Sequence, residues 1–366
     1  MEYLFPILLT IVGIVINNRL PHNARKVYYI LLLASVVLIL GFRFRVGSDT
    51  LMYMSEYKKV RPLADFFSGK SLELSRFEPG YLFVTTIVKS FTDEFWPVQV
   101  LMATITNGGI FIFIWRNCKN NPFWGALLYL SFLCIYFSVE IMRESAAISI
   151  FLLNSKNLQE KKWLRYYLFV PFSIVFHYSA IIIVFFPLVR FLKANYLFIG
   201  ACLFFLAITP VVESLNQILG IAAITERVGY YSQNAGDINL NWKIGEIIRA
   251  AFPAIAVLLM ARYLRKDVSF KSFILLQIVF CAGAFAIPII FQRFINYTFL
   301  FVLAAGGNLL WELRERKFLQ TAFVCFMLLT QVNNYRTLYH AWFPYYSVFN
   351  PVYDNEREML PRRLWK

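Results

Sequence analysis

Charge is what this sequence has least of. Lys, Arg, Asp and Glu together supply only 16% of its 366 residues, while 59% are hydrophobic and 18% aromatic. A water-soluble domain cannot hide that much apolar surface, so the soluble classes are excluded and the chain reads as a polytopic membrane protein. Acidic residues are scarcer than basic ones, 21 against 36, which leaves a net charge of +15. On a soluble chain that excess would suggest a nucleic-acid partner. Here the basic residues are scattered between apolar runs and no RNA-binding motif accompanies them. Nucleic acid is therefore excluded, and the excess is assigned to cytoplasmic loops and to a site for an anionic ligand.

Cysteine and histidine are sparse as well. Cys118, Cys134, Cys202, Cys281 and Cys325 show no CxxC spacing. Four of them lie inside apolar runs, where a free thiol behaves as a small apolar group, so neither a disulfide framework nor a zinc site is expected. Three histidines without ligand spacing offer no metal site. The sequence has no GxSxG, HExxH, P-loop or Gly-rich dinucleotide motif, and no DxD cluster for a metal-bound nucleotide sugar. Cytoplasmic nucleotide-sugar chemistry is disfavoured accordingly. No soluble domain, low-complexity stretch or inverted repeat interrupts the chain, so residues 1–366 are read as a single polytopic membrane domain. The start, Met1-Glu2-Tyr3, lacks the positive leader and cleavage site of a signal peptide, and the first apolar run is expected to be retained.

What is present is a series of apolar runs at about 3–17, 27–42, 79–91, 97–115, 123–139, 141–155, 165–190, 196–212, 244–263, 270–290, 294–311 and 318–333. A full span needs about 20 apolar residues. Several runs are shorter, and short ones are tolerated as half-helices or re-entrant segments against protein or a water-filled cavity. The expected fold is an all-α helical bundle with about 10–12 membrane segments. Lys and Arg in short loops set its orientation. Arg19, Arg25 and Lys26 mark one loop, and Lys156, Lys161, Lys162 and Arg165 a second. Arg262, Arg265 and Lys266 mark a third, and Arg314, Arg316 and Lys317 a fourth. With these four inside, segments 43–78 and 213–243 become periplasmic loops, and Arg293 falls at the outer ends of its spans. The crossing count then closes if run 79–91 is re-entrant or interfacial, and if run 165–190, with Pro171 and His177 in its middle, is a hairpin turning near His177.

Polar residues interrupt the runs at a few points. The first is Arg43-Phe44-Arg45-Val46-Gly47-Ser48-Asp49-Thr50, with Tyr53 close behind. Its arginines are either interfacial anchors or ligands for an anion, and Gly47 frees a tight turn that would aim Asp49 back at them. Glu78-Pro79-Gly80-Tyr81 is either a plain helix start or the carrier of a base. Arg143 either pairs with Glu140 or Glu144 or faces phosphate, which its planar guanidinium suits. His177 is either structural or a base kept neutral by its apolar setting. Arg293, in Phe291-Gln292-Arg293-Phe294, is a third arginine site. The loop 213–243 adds Glu226, Arg227, Tyr230, Tyr231 and Asp237. The tail adds Trp342, Pro344, Tyr345, Tyr346 and Tyr353, which read equally as interfacial belts or as stacking surfaces for sugar rings.

Taken together these motifs resemble the EpsG/Wzy family, the membrane polymerases of bacterial O-antigen and capsular polysaccharides. Phe42-Arg43-Phe44-Arg45-Val46-Gly47-Ser48-Asp49-Thr50-Leu51-Met52-Tyr53 matches its arginine, VG-x-D and tyrosine pattern. Phe77-Glu78-Pro79-Gly80-Tyr81 matches its E-P-G-Y element. Met142-Arg143-Glu144-Ser145-Ala146-Ala147 looks like its arginine and small-residue element, with Glu144 where Gln is common. Phe176-His177-Tyr178-Ser179-Ala180 matches its F-H-x-S-A element. The four stand in the family's order, and the resemblance covers most of residues 1 to about 300.

The resemblance implies a GT-C-like glycosyltransferase in the bacterial inner membrane, multi-pass, with its site facing the periplasm. It implies transfer of a glycan from undecaprenyl pyrophosphate to the non-reducing end of another lipid-linked repeat unit. The expected substrate-binding residues are Arg43, Arg45, Tyr53, Arg143 and Arg293, with Asp49, Glu78 and His177 competing for the role of catalytic base. No cofactor or metal is needed, because arginines can stabilise the pyrophosphate leaving group. The expected partners are the undecaprenyl-pyrophosphate-linked oligosaccharide and membrane lipid, with a chain-length regulator as a candidate protein partner. The alternatives are a flippase or transporter for the same lipid-linked glycan, for which an internal repeat is the missing sign, an O-antigen ligase or sugar acyltransferase, and a structural partner of a glycan export complex.

Overall fold

Proline and asparagine place many of the helix starts. Proline lacks the N–H that a first helical turn leaves unpaired anyway, so it is tolerated there. Pro79, Pro97 and Pro122 all stand in first turns. Asn121 caps the last of these, its side chain accepting from the Phe123 N–H at 3.2 Å. The computed structural model describes residues 2–67, 77–191, 240–267, 269–286 and 288–364. Among them there is no β-strand, only isolated bridges joining Arg43 to Ser347 and Ser347 to Asn350.

The described residues form two compact units, the first made of 1–184 with 335–366 and the second of 185–334. The first unit opens with α1 (Leu4–Ile16), α2 (His22–Gly41), α3 (Ser48–Tyr57) and α4 (Leu63–Phe67). It continues with α5 (Pro79–Lys89), α6 (Trp96–Asn117), α7 (Pro122–Phe132), α8 (Cys134–Val139), α9 (Met142–Gln159) and α10 (Trp163–Ile174). A 3₁₀ stretch, Tyr178–Phe191, follows. The second unit holds α11 (Leu240–Leu264), α12 (Lys271–Ala286), α13 (Pro288–Glu312) and α14 (Lys317–Leu329). Helix α15 (Val332–Trp342) leads back to the first unit, which α16 (Asn355–Leu364) ends.

Among the described residues three helices are long and apolar enough to cross a membrane: α2, α6 and the segment Ile290–Glu315 around α13. At 1.5 Å per residue the 20 residues of α2 rise about 30 Å, the thickness of a hydrocarbon core. Shorter apolar helices stand beside them, among them α1, α7 and α14. Outward faces are greasy. Leu4, Leu8 and Val15 on α1, Ile30 and Leu31 on α2 and Leu168 and Phe172 on α10 are all exposed. Apolar side chains on the outside are what a bilayer accepts and water does not. The chain is a helical membrane protein.

Between helices of the first unit the packing is small and polar. Helix α9 lies along α6 and α10, and α2 along α6. Ser145, Ala146, Ala147 and Ser149 of α9 are buried, and the Ser149 hydroxyl donates to the Ile105 carbonyl at 2.7 Å. Asn107 accepts from the Tyr129 hydroxyl at 2.8 Å and donates to Ser138 at 3.1 Å. Small residues let helices approach closely in lipid, and buried polar side chains there need partners.

Run 165–190 is a hairpin. Helix α10 stops at Ile174, the chain turns through Val175-Phe176-His177, and the 3₁₀ stretch returns alongside. The Tyr166 hydroxyl donates to the Ile183 carbonyl at 2.7 Å and that of Tyr167 to the Val184 carbonyl at 3.3 Å. Run 79–91 becomes α5, whose 11 residues rise about 16 Å, half a bilayer core. Segment 43–78 is not a plain loop, since it contains α3 and α4. Of segment 213–243, the chain is already helical from Leu240. Glu226, Arg227, Tyr230, Tyr231 and Asp237 lie outside the described residues, as does run 196–212.

Candidate functional site

The first motif is built around a glycine. Gly47 has φ +104°, and a Cβ there would sit 2.2 Å from the Val139 side chain. Both facts demand glycine. The Gly47 N–H donates to the Ala341 carbonyl at 2.9 Å, and the turn then delivers the chain into α3. The first turn of α3 is capped from outside its own sequence. Buried Glu140 accepts from the Ser48 hydroxyl at 2.7 Å, the Ser48 N–H at 3.2 Å and the Asp49 N–H at 3.0 Å. It also accepts from the Trp342 indole N–H at 2.9 Å. A carboxylate at a helix N-terminus satisfies orphan N–H groups and the positive end of the dipole together. Asp49, half-buried in that turn, precedes Tyr53 by one helical turn.

The second motif is built around another glycine. Gly80 donates its N–H to the Val175 carbonyl at 2.7 Å, and a Cβ at Gly80 would meet that same oxygen at 2.8 Å. The start of α5 is thereby pressed against the hairpin turn at 175–177, which brings Glu78 beside His177. Arg143, at the start of α9, reaches Glu78 and Tyr53. Its Nη1 donates to Glu78 Oε2, and its Nε lies 3.4 Å from the Tyr53 hydroxyl. The guanidinium lies over the Phe77 ring at 4.7 Å and near the Tyr53 ring at 5.7 Å. So Arg143 finds its carboxylate across the bundle, in Glu78. The side chains of Arg143 and Glu78 are 18% and 7% exposed, so the pair is largely desolvated yet the arginine keeps an open edge. Its Nη2 has no partner among the described residues.

His177 completes the cluster. Its Nδ1 lies 3.2 Å from the Ser179 N–H and 2.7 Å from the Ser179 hydroxyl. A backbone N–H can only donate, so Nδ1 accepts and the neutral ring carries its proton on Nε2. That nitrogen stands 3.8 Å from Glu78 Oε1. Tyr53, Phe77 and Tyr81 wall the cluster, and the buried Tyr81 hydroxyl has no hydrogen-bond partner among the described residues. Burial pushes the Tyr53 phenol up, so it stays protonated at neutral pH.

Four of the eight residues singled out in the sequence, Tyr53, Glu78, Arg143 and His177, thus meet directly. Arg43 is fully buried. Its guanidinium donates to the Leu40 carbonyl, reaches Thr50 at 3.4 Å and lies 3.2 Å from the Met142 sulfur, tying α2 to α3 and α9. Burial pushes its pKa down to about 10, which leaves it charged at neutral pH. Arg45 is held by both oxygens of Glu358 and lies 5.3 Å from the Tyr353 ring centre. Arg293 belongs to the second unit, half-buried on α13 between Phe291 and Phe294.

Sequence reasoning weighed Glu140 only as a partner for Arg143 and passed over Glu358. It read Trp342 as a belt or sugar platform, whereas its indole is buried against Glu140. It also passed over Arg249, buried on α11 of the second unit with its guanidinium 5.8 Å from the Phe299 ring centre. A charge at membrane depth is the signal that would have flagged it. No group of three or more His, Cys, Asp or Glu among the described residues could hold a metal.

The family model of the EpsG family matches residues 26–347. That match runs past residue 300, to which the resemblance read from the sequence extends, and takes in the Ala341–Tyr346 stretch that touches Gly47 and Glu140. No curated protein and no solved structure matches the chain.

Proposed function

Since this chain belongs to the EpsG family, we propose that it is a membrane polysaccharide polymerase that joins lipid-pyrophosphate-linked oligosaccharides at the outer face of the inner membrane. Family membership points to a polymerase-related role. The observation that carries the finer reading is the meeting of Glu78, Arg143 and His177. Three separate segments place a desolvated arginine, a carboxylate and an imidazole within reach of one another.

The donor is a glycan joined through its anomeric carbon to undecaprenyl pyrophosphate, and the acceptor is a sugar hydroxyl on a second lipid-linked unit. The acceptor oxygen forms the new bond to the anomeric carbon. The bond from that carbon to the pyrophosphate oxygen breaks, and undecaprenyl pyrophosphate leaves with the electron pair. Charge grows on the leaving oxygens, and Arg143 donates there from its open Nη2 edge. Preorganised donors at a developing charge are the usual large term in catalysis. Glu78 receives the hydroxyl proton, as general base. His177 acts by position: its Nε2–H faces Glu78 and orients the carboxylate. Arg143 holds Glu78 through Nη1 and meets the pyrophosphate through Nη2, so one planar guanidinium sets the base and the leaving group side by side. Asp49, at the start of α3, supports the acceptor side. Arg43 and Arg45 hold the frame.

The experiment is a chain-lengthening assay in membranes with the lipid-linked repeat unit. Arg143→Ala and Glu78→Gln should each lower the rate on the order of 10²-fold or more, at unchanged protein level. His177→Ala should lower it less than either. Full activity in Arg143→Ala would remove that arginine from the leaving-group role, and full activity in Glu78→Gln would pass the base to Asp49.

A further inference from the structure

At the end of the α2–α6 pair away from the motif cluster lies a basic pocket that the polymerase reading does not use. The two helices run antiparallel. Phe42 stacks on Trp96 at 5.2 Å near one end, and Tyr29 meets Trp115 at 5.0 Å near the other. Beside Trp115, the side chains of His22, Arg25, Lys119 and Pro122 line a pocket of about 190 Å³. We propose that it binds the phosphate-bearing headgroup of an anionic phospholipid.

Three features point there. The first is uncompensated charge. Residues 3–48 and 95–139, which supply the whole lining, contain no Asp or Glu. No carboxylate among the described residues pairs with Arg25 or Lys119. The second is an unused donor. Arg25 lies over Trp115 at 5.8 Å, and its Nη2 is 3.4 Å from His22 Nδ1, yet its Nε is buried with no hydrogen-bond partner. A guanidinium is a planar fork that suits phosphate oxygens. The third is the helix geometry. His22 is the first residue of α2 and Pro122 the first of α7, so the unpaired N–H groups of two first turns stand at the pocket beside the last turn of α6 that carries Trp115.

About 190 Å³ leaves room for a phosphate group. The location favours a lipid over a soluble anion. The pocket opens at the end of two helices long and apolar enough to span a membrane, and the turns of α2 that follow expose Val27, Ile30 and Leu31. A tryptophan and basic side chains at that depth belong to the headgroup layer.

Native mass spectrometry of the purified full-length chain tests this, with phosphatidylglycerol and phosphatidylcholine as competing probes. The chain should retain phosphatidylglycerol in preference. Arg25→Gln with Lys119→Gln should weaken phosphatidylglycerol retention roughly tenfold or more, from the usual worth of a basic residue near an anionic surface, and leave phosphatidylcholine unchanged. Arg25→Lys, which keeps the charge and loses the fork, should weaken the preference by less than the double variant does, which guards against a double variant that fails to fold. Equal retention of the two lipids by the native chain overturns the proposal, and so does an undiminished preference in a folded double variant. Displacement of phosphatidylglycerol by inorganic phosphate at equal concentration also overturns it, since the ligand would then be a soluble anion.

Discussion

Arg143 shows at the scale of one side chain how this protein uses charge. A guanidinium set among Phe77, Tyr53 and Tyr81 is costly unless something ionic answers it, and Glu78 is that answer. Charge alone will not reproduce the site, because a lysine ammonium cannot offer a planar fork to Glu78 and phosphate together. Arg143→Lys should therefore keep protein level and lose at least about tenfold in chain-lengthening rate, where one tenfold corresponds to about 1.4 kcal/mol. The two glycines make a second prediction. At Gly80 an added methyl meets the Val175 carbonyl oxygen at 2.8 Å and the Phe176 ring at 3.0 Å, and relief requires that α5 and the hairpin turn part. At Gly47 it meets Val139 at 2.2 Å and also forces a backbone conformation that side chains avoid. Gly80→Ala should cost about 1–3 kcal/mol as overpacking, and Gly47→Ala about 1–3 kcal/mol more as backbone strain. Thermal unfolding midpoints of the purified variants check the order, with Gly47→Ala the lower.

At the scale of elements, the start of α3 is held from two distant stretches of chain. Glu140 accepts four hydrogen bonds, one of them from Trp342. An amide has one acceptor oxygen, so Glu140→Gln leaves donors unanswered and should cost about 1–3 kcal/mol, the penalty for an unsatisfied buried group. Trp342→Phe removes a single donor and should cost less. Melting midpoints again decide, and equal effects would contradict the geometry. Helix α16 is tethered by the Arg45–Glu358 pair, which is partly exposed and worth about 1 kcal/mol or less. Glu358→Ala should thus be mild, and the exchange Arg45→Glu with Glu358→Arg should recover most of the loss in a double-mutant cycle.

Much of this was legible in the sequence, and the rest was not for a physical reason. Helical class, the short α5 and the hairpin at His177 follow from run length, from proline at first turns and from counting basic loops. Glu78, Arg143 and His177 stand out in the sequence by their polarity in apolar surroundings, but only as three of eight such residues. Their pairing was not legible. Arg143 has acidic neighbours at Glu140 and Glu144, and periodicity cannot say that its carboxylate lies 65 residues away. Arg45 and Glu358 are 313 residues apart, and nothing local to either names the other. Trp342 looked like an interfacial aromatic because a lone tryptophan near a span end usually is one.

At the scale of the whole molecule, the proposed function puts the chemistry at one end of the first unit and the start of α2 in the cytoplasm. Thiol labelling on intact cells is the check. A cysteine at Ser55, exposed on α3, should react with an impermeant reagent, and one at Asn23, exposed in the first turn of α2, should react only after lysis. The reverse pattern would turn the protein over. The measurement closest to the central claim is made in the native host. The gene is deleted, then restored as native chain, as Arg143→Ala or as Glu78→Gln, and the surface polysaccharide is run on a gel. The account predicts that deletion replaces the ladder with a single-repeat band, that the native gene restores it, and that neither variant does at equal protein level. An unchanged ladder after deletion, or a full ladder from either variant, would contradict it.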